Sequence, residues 1–418
     1  MMRLLAVSIA LVTPLGCAPA PQRLMPTPSV VALGLVDPAA GVAADRQRTT
    51  GSVFIASDRE LRTSGDTGAD PFTNSRGDAL HLAVSEVTIG RGLDYDEMIE
   101  AAGGSRHLDR PVVQVEHTEV VGVLPATVSL EIADAERWIG QLNAALGSRT
   151  PGSDVLVYVH GYNTDFRVNT GRASEFWHYR GRGGAVVSFD WPSRYRVVGY
   201  GADKANAAYA VRHMRQLLEL LADHTDAGQI HILAHSAGCP IVVDALRELR
   251  LRGSGLGEEE IRARYRIGRV ALAAPDMDLM LFCNALLDGF DDLPERIAVY
   301  ASQGDDVLQI SGLLFGSDRL GLPVHDMSAW ETELVRQSGN TEIIDVTSAD
   351  DVLGELMGHS YYRRNPWVSS DLLLLLGPGR SAAARGLVLD AETGFWRFPD
   401  DYLDRLGGLL GPGASAAE

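Results

Sequence analysis

Residues Gln229–Leu246 read QIHILAHSAGCPIVVDAL. The apolar run through Ile230 and Ala234 predicts a strand, and the apolar spacing that resumes at Cys239 predicts a helix. Between them stands Ala-His-Ser-Ala-Gly. A serine on a tight strand-to-helix turn is lifted clear of the sheet, with its hydroxyl exposed. The crowded turn needs small flanking residues. Ala234 and Gly238 meet that need, with alanine where the first glycine is usual. The helix that follows directs its positive end at any anion formed there. Without that chemistry, the same five residues are an ordinary turn with Ser236 as helix N-cap.

Outward from this turn, the chain from residue 154 alternates apolar strands with helices. DVLVYVHGYN and GAVVSFDWPS precede an amphipathic helix from Lys204 to Ala222; RVALAAPD, RIAVYASQGD and EIIDVT follow the serine. This pattern predicts an α/β fold, with a mostly parallel sheet covered by helices on both faces. Functional residues in such sheets gather beyond the carboxyl ends of the strands. Residues 51–130 read mainly as strands and turns, a β-rich N-terminal portion that adds the first strands. The expected organisation is a signal peptide at 1–20, a Pro-, Ala- and Thr-rich linker at 21–50 and one α/β-hydrolase domain at 51–370. A partly disordered C-terminal extension is expected at 371–418.

The bulk numbers bound the function. The 418 residues are 45% hydrophobic, enough for a sizeable core, and 55 acidic against 37 basic residues leave a net charge of −18. That surface repels phosphate backbones and argues against nucleic acid. The opening MMRLLAVSIALVTPLGCAPA has Arg3 and an apolar run from Leu4 to Leu15, too short to span a bilayer, and reads as an export signal. Two processing readings stay open. Ala18-Pro19-Ala20 fits a cleavage site, whereas Leu15-Gly16-Cys17 fits a lipoprotein signal with Cys17 as the lipidated residue, although Pro14 departs from it. The expected location is periplasmic or membrane-anchored. Cys239 and Cys283 are expected as buried free thiols.

The partners of Ser236 follow from order. An α/β-hydrolase presents nucleophile, acid and histidine in that sequence. Of the eleven histidines only His325 and His359 follow Ser236. His359 comes after the last strand, behind Gly358, and is favoured as general base. The acid is expected after the second strand beyond the nucleophile, at Asp305, with Asp276 and Asp306 kept as alternatives. The oxyanion donors are expected to be the amides of Ala237 and of Tyr162, the latter in the YVHGYN loop. His160 is expected as a buried hydrogen-bonding residue below that loop. Trp191, Tyr195 and Tyr200 are candidates for an apolar substrate pocket. His231 and His235 lie four apart on a strand and a turn, so they do not converge on a metal. The sequence carries no zinc spacing, Walker loop or dinucleotide fingerprint, and no cofactor is expected.

VYVHGYNTDF, VVSFDWPS, IHILAHSAG, ALAAPDMD, YASQGDDVL and GHSYY, in this order and with VFIASDRE upstream, resemble a family of bacterial α/β-hydrolases of unknown function. That family is marked by an HGYN loop, a WPS strand end and an AHSMG elbow. The resemblance implies Ser236, Asp305 and His359 as a catalytic triad, and matches Asp203 to another recurrent position. Ala237 replaces the usual methionine and Asp190 the usual serine. The resemblance implies no substrate. The expectation is a serine hydrolase of carboxylic esters, acting on a small-molecule ester or acyl substrate. A long-chain lipase or thioesterase, and a non-catalytic binding scaffold of the cell envelope, stand as alternatives.

Overall fold

The computed structural model describes residues 21–40, 49–63, 68, 70–103, 107–127, 131–147, 153–193, 200–322, 327–349 and 358–411, with backbone alone at 200–202. Twelve strands form one sheet. They are β1 Gln22–Arg23, β2 Thr50–Leu61, β3 Phe72–Ile89, β4 Val112–Leu124, β5 Val155–Val159, β6 Ala185–Asp190, β7 Ile230–His235, β8 Ile267–Ala273, β9 Arg296–Ala301, β10 Thr341–Asp345, β11 Val388–Leu389 and β12 Trp396–Arg397. Their order is β1-β4-β3-β2-β6-β5-β7-β8-β9-β10-β12-β11. The run from β2 to β12 in that order is parallel throughout. Antiparallel pairs close both ends. This is the α/β-hydrolase class of sheet that the sequence pattern predicts, with β1–β4 as its β-rich N-terminal part.

The side-chain period of a strand explains why the central runs are wholly apolar. In β5, Val155, Val157 and Val159 join one core, while Leu156 and Tyr158 join the core on the opposite face. Helices cover both faces, so neither set of alternate residues meets water.

Topology then positions the site. From β5 the chain crosses to β6 on one side, and β7 returns to pair with β5 on the other, with Val159 beside Ala234. The strand order therefore switches direction between β5 and β7. Crossover helices leave a crevice at such a point, beyond the carboxyl ends of the strands. His160-Gly161-Tyr162 and Ser236 are the residues that follow those two ends.

Two expected boundaries are corrected. The stretch expected as a linker at 21–50 contributes β1, which pairs with β4. Leu24, Met25 and Val30 are buried, and Tyr179 Oη donates to Met25 O at 3.2 Å. A few apolar residues among prolines are enough to dock a segment whose composition reads as a tether. The expected extension from 371 is also part of the domain as far as residue 411. Helix Pro366–Leu376 is buried along almost its whole length, β12 pairs with β10, and Trp367, Phe398 and Tyr402 pack together. The run DLLLLL lacks an amphipathic period because it is enclosed on all sides.

A buried ion pair ties this layer to the sheet. Arg385 Nε donates to Asp371 Oδ1 at 2.7 Å, and Tyr300 Oη of β9 donates to Asp371 Oδ2 at 2.6 Å. Arg385 also reaches Glu342 of β10 at 3.0 Å. Removing one partner of such a pair strands the other charge in the interior. Arg385→Met is therefore expected to lower the folding free energy by about 3–5 kcal/mol, read as a shift of the urea unfolding midpoint.

Candidate active site

Ser236 follows β7 directly and has φ +53°. A non-glycine residue in the left-handed region carries strain of roughly 1–3 kcal/mol, and such strain persists only where packing over-determines it. Here the packing comes from glycines. A Cβ on Gly161 would lie 2.7 Å from Ser236 Cβ and 2.8 Å from His235 Nδ1. One on Gly238 would press into the carbonyl oxygen of His160. The turn is held by Ser236 N donating to Ala273 O at 2.9 Å and by Cys239 N donating to Ser236 O at 3.0 Å. Helix Gly238–Arg252 starts at once behind it, with Ala237 as its N-cap.

Three sequence-selected residues meet at this turn. His359 Nε2 lies 2.5 Å from Ser236 Oγ, and His359 Nδ1 lies 2.7 Å from Asp305 Oδ2. Asp305 is fully buried behind β9, and its other oxygen accepts from Leu308 N at 3.1 Å, capping helix Asp306–Phe315. That cap fixes the carboxylate before it meets the imidazole. The two alternative acids are elsewhere. Asp306 is exposed on the first turn of the helix. Asp276 accepts from Ser311 Oγ at 2.7 Å and lies 3.5 Å from Arg319 Nε. Burial raises its carboxyl above the usual range, against the pull of Ser311 and Arg319.

His359 is held from behind. His235 Nε2 donates to His359 O at 2.8 Å, and the His235 ring lies between His359 and Tyr362, with centroids 4.8 and 4.5 Å away. Burial, reinforced by the neighbouring His359, pushes His235 well below the usual imidazole value, so it remains a neutral support. Tyr361 Oη donates to Tyr300 O at 2.7 Å, and the hydroxyls of Tyr362 and Tyr158 share a 2.7 Å hydrogen bond. The segment carrying His359 is thus pinned to β9 and β5. No sequence period marks His235 for this work; only its place before Ser236 could have drawn attention to it.

The Gly161–Tyr162 loop has its own brace. Asn163 adopts φ +56°, a conformation asparagine tolerates better than most residues, and Asp165 caps the following helix Phe166–Tyr179 through Val168 N at 2.8 Å. Beneath the loop, Arg59 Nε lies 2.8 Å from Asp190 Oδ2, both side chains fully buried, and Arg59 Nη2 donates to Thr164 O at 2.9 Å. Ser57 Oγ and Asn169 Nδ2 also donate to Asp190. Burial opposes the Asp190 charge, but Arg59, with the hydrogen bond from Ser57, outweighs it and holds the carboxyl below its usual range. His160 is a buried residue in this brace: Trp191 N donates to its Nε2 at 3.2 Å, and the two rings stack at 5.1 Å. Burial keeps it neutral. Asp190, read from sequence as a departure from serine, therefore supplies the anion that pairs with Arg59.

A cavity of about 360 Å³ opens beside the turn. Tyr162 and Ala237 form its wall next to Ser236; Ala207, Val211 and Ile241 supply apolar surface, and Lys204, Asp276 and Arg319 supply charge. Of the residues chosen from sequence for a pocket, Trp191 does not line it. Trp191 is fully buried, donating Nε1 to His160 O at 2.8 Å, because the stacked His160 claims its face. Tyr195, His325 and Cys17 lie outside the described residues, as does the Tyr200 side chain. Cys239 and Cys283 are buried free thiols. No group of His, Cys, Asp and Glu that could hold a metal occurs among the described residues.

The profile of a family described as "Alpha/beta hydrolase of unknown function (DUF900)" matches residues 135–376. No curated protein matches the chain. Among solved structures, an uncharacterized protein from Bacillus cereus is similar at 10% identity and TM-score 0.35, covering 56% of this chain and 62% of its own, so this chain spans less than two thirds of that protein. An esterase of Pyrobaculum calidifontis is similar at 13% identity and TM-score 0.34, covering 54% of this chain and 76% of its own. Thermogutta terrifontis esterase 2 is similar at 16% identity and TM-score 0.31, covering 54% and 82%.

The glycine contacts make a prediction. Gly238→Ala gains about 1 kcal/mol of helix propensity. It also forces backbone apart at His160, where no side chain can yield, and overpacking of this kind costs about 1–3 kcal/mol. The expected result is a net loss of stability in urea unfolding, with slower covalent labelling of Ser236 by a fluorophosphonate.

Proposed function

The chain belongs to the family of alpha/beta hydrolases of unknown function, matched over residues 135–376, and from that premise we propose that it is a serine hydrolase of carboxylic esters. The observation that carries this reading is the unbroken chain Ser236 Oγ–His359–Asp305, with separations of 2.5 and 2.7 Å. His359 Nδ1–H donates to Asp305, which leaves Nε2 as the acceptor of the serine proton. Ser236 Oγ attacks the ester carbonyl as His359 takes that proton. Asp305 orients the imidazole and stabilises its cation without itself being protonated. The amides of Ala237 and Tyr162 hold the developing oxyanion, a contribution of roughly 10²–10³ in rate for each donor. His359 returns the proton to the leaving alcohol. A water molecule, activated in the same way, then releases the acid from Ser236. The first twenty residues add the proposal that the enzyme is exported, as a periplasmic protein or as a lipoprotein anchored through Cys17.

The test begins with covalent labelling. A fluorophosphonate should add once to the purified protein and not at all to Ser236→Ala, read by intact mass. Asp305→Asn should lower kcat on a p-nitrophenyl ester by about 10⁴, because the imidazole loses its correct tautomer. Asp276→Asn should retain activity within about tenfold. Equal losses in the two variants would overturn the assignment of the acid.

The cavity adds a pH prediction. Lys204 Nζ stands 3.2 Å from the centre of the Phe315 ring. Burial, and then the nearby Arg319, pull its ammonium down to about 8, against the attraction of Asp278. Below that pH Lys204 brings a positive charge to the cavity; above it Lys204 is neutral. The kcat/KM for an apolar acyl ester should rise as pH passes about 8. Lys204→Met should already show the higher value at pH 7, with no inflection there.

A further inference from the structure

Helix Asp306–Phe315 carries its apolar side outward. Only Leu308 and Ser311 are buried. Val307, Ile310, Leu313, Leu314 and Phe315 are all exposed, Leu313 to 85%. Single exposed leucines such as Leu33 and Leu108 also occur, and they need no explanation. Five large apolar side chains exposed within ten residues do, because a surface helix normally turns such a stripe to the core.

The patch continues into the cavity. Phe315, at the end of this helix, and the exposed Leu281 of helix Leu279–Leu287 both line it. The two helices are tied together there through backbone: Leu279 N donates to Asp318 O at 3.0 Å, and Leu320 N donates to Met277 O at 2.9 Å. At its other end, the helix grows from Asp305. One exposed apolar surface therefore runs from the mouth of the cavity along the element that holds the acid against His359.

This continuity selects the occupant. A protein partner or a second copy seated on the patch would cover Leu281 and Phe315, and with them the way in. An assembled lipid does the opposite, since it covers the same surface and supplies the ester through it. Charge narrows the choice further. A net charge of −18 opposes approach to a strongly anionic surface. We propose that the face formed by Leu281, Val307, Ile310, Leu313, Leu314 and Phe315 docks on a zwitterionic or uncharged lipid surface, and that the substrate is an ester with a long apolar acyl chain drawn from it. This rests on the serine-hydrolase reading above. Each turnover consumes one water and releases one fatty acid and one alcohol, the acyl group passing through Ser236 Oγ.

The experiment uses the purified full chain and the double variant Leu313→Asp/Leu314→Asp, whose positions are exposed and away from the reacting groups. Three readouts are made: hydrolysis of soluble p-nitrophenyl butyrate, hydrolysis of p-nitrophenyl palmitate carried in phosphatidylcholine vesicles, and flotation with those vesicles. The expected result is that the wild type floats and turns over the vesicle-borne ester. The double variant should stay within twofold on the butyrate, which also reports its folding, and lose at least tenfold on the palmitate together with its flotation. Equal palmitate rates for the two proteins, no flotation of the wild type, or a dimer in sedimentation that the variant dissolves would each overturn the proposal. Absence of both butyrate turnover and a Ser236 adduct would overturn the hydrolase reading instead, and flotation would still decide the docking surface.

Discussion

The close approach of two strand ends governs this molecule. β5 and β7 are neighbours in the sheet, and the residues after each must share one small space. Gly161 and Gly238 supply that space by lacking a Cβ. Ser236 is then driven into a left-handed conformation that it would not adopt alone. The strain points its hydroxyl toward His359, and the same crowding sets the Tyr162 loop beside Ala237. A single methyl group at either glycine would spread the two strand ends, so the geometry of Ser236 and the geometry of the cavity wall are one constraint.

The second layer of control is buried charge. Arg59 and Asp190 are both fully enclosed, which is costly unless every polar atom near them is matched. Ser57 and Asn169 donate to Asp190, and Arg59 donates to Asn74 and Thr164, which offsets most of that cost, while Asn169 Oδ1 stays unmatched among the described residues. The network links β2, β6 and the loop after β5, three segments far apart in the chain. Its effect is to hold the loop rigid from below, with His160 and Trp191 stacked against it. On the opposite side, Asp305 is fixed by its role as a helix cap before it meets His359. Rigid support of this kind keeps a reacting group in its productive position without rearrangement at the moment of reaction.

Helix Asp306–Phe315 joins chemistry to surface. Its first residues are tied to Asp305, its last aromatic ring borders the cavity, and its outer face is apolar. The C-terminal layer plays the complementary part. Asp371 and Arg385 anchor it to β9 and β10, while Tyr361 and Tyr362 fasten the segment bearing His359 to β9 and β5. A region that composition presents as a trailing extension thus helps to hold the histidine.

The sequence by itself determined the parallel core and the turn at Ser236, and it ranked His359 ahead of His325 and Asp305 ahead of Asp276 and Asp306 as the residues to look for there. Those readings rest on local patterns, because strand period, helix period and the small flanks of a tight turn are written in neighbouring residues. Several features were not legible. Trp191 looked like a pocket aromatic and is a buried stacking partner. Residues 21–50 looked like a tether, and Gln22–Arg23 within them form an edge strand. His235 and Arg59 fell within quoted motifs, but nothing in the sequence pointed to their supporting roles. Only the tertiary structure decided these, because each depends on which distant segment arrives beside it. Val159 meets Ala234, Arg59 meets Asp190 and Tyr361 meets Tyr300 through the pairing of the sheet. That pairing is a property of the whole chain rather than of any stretch within it.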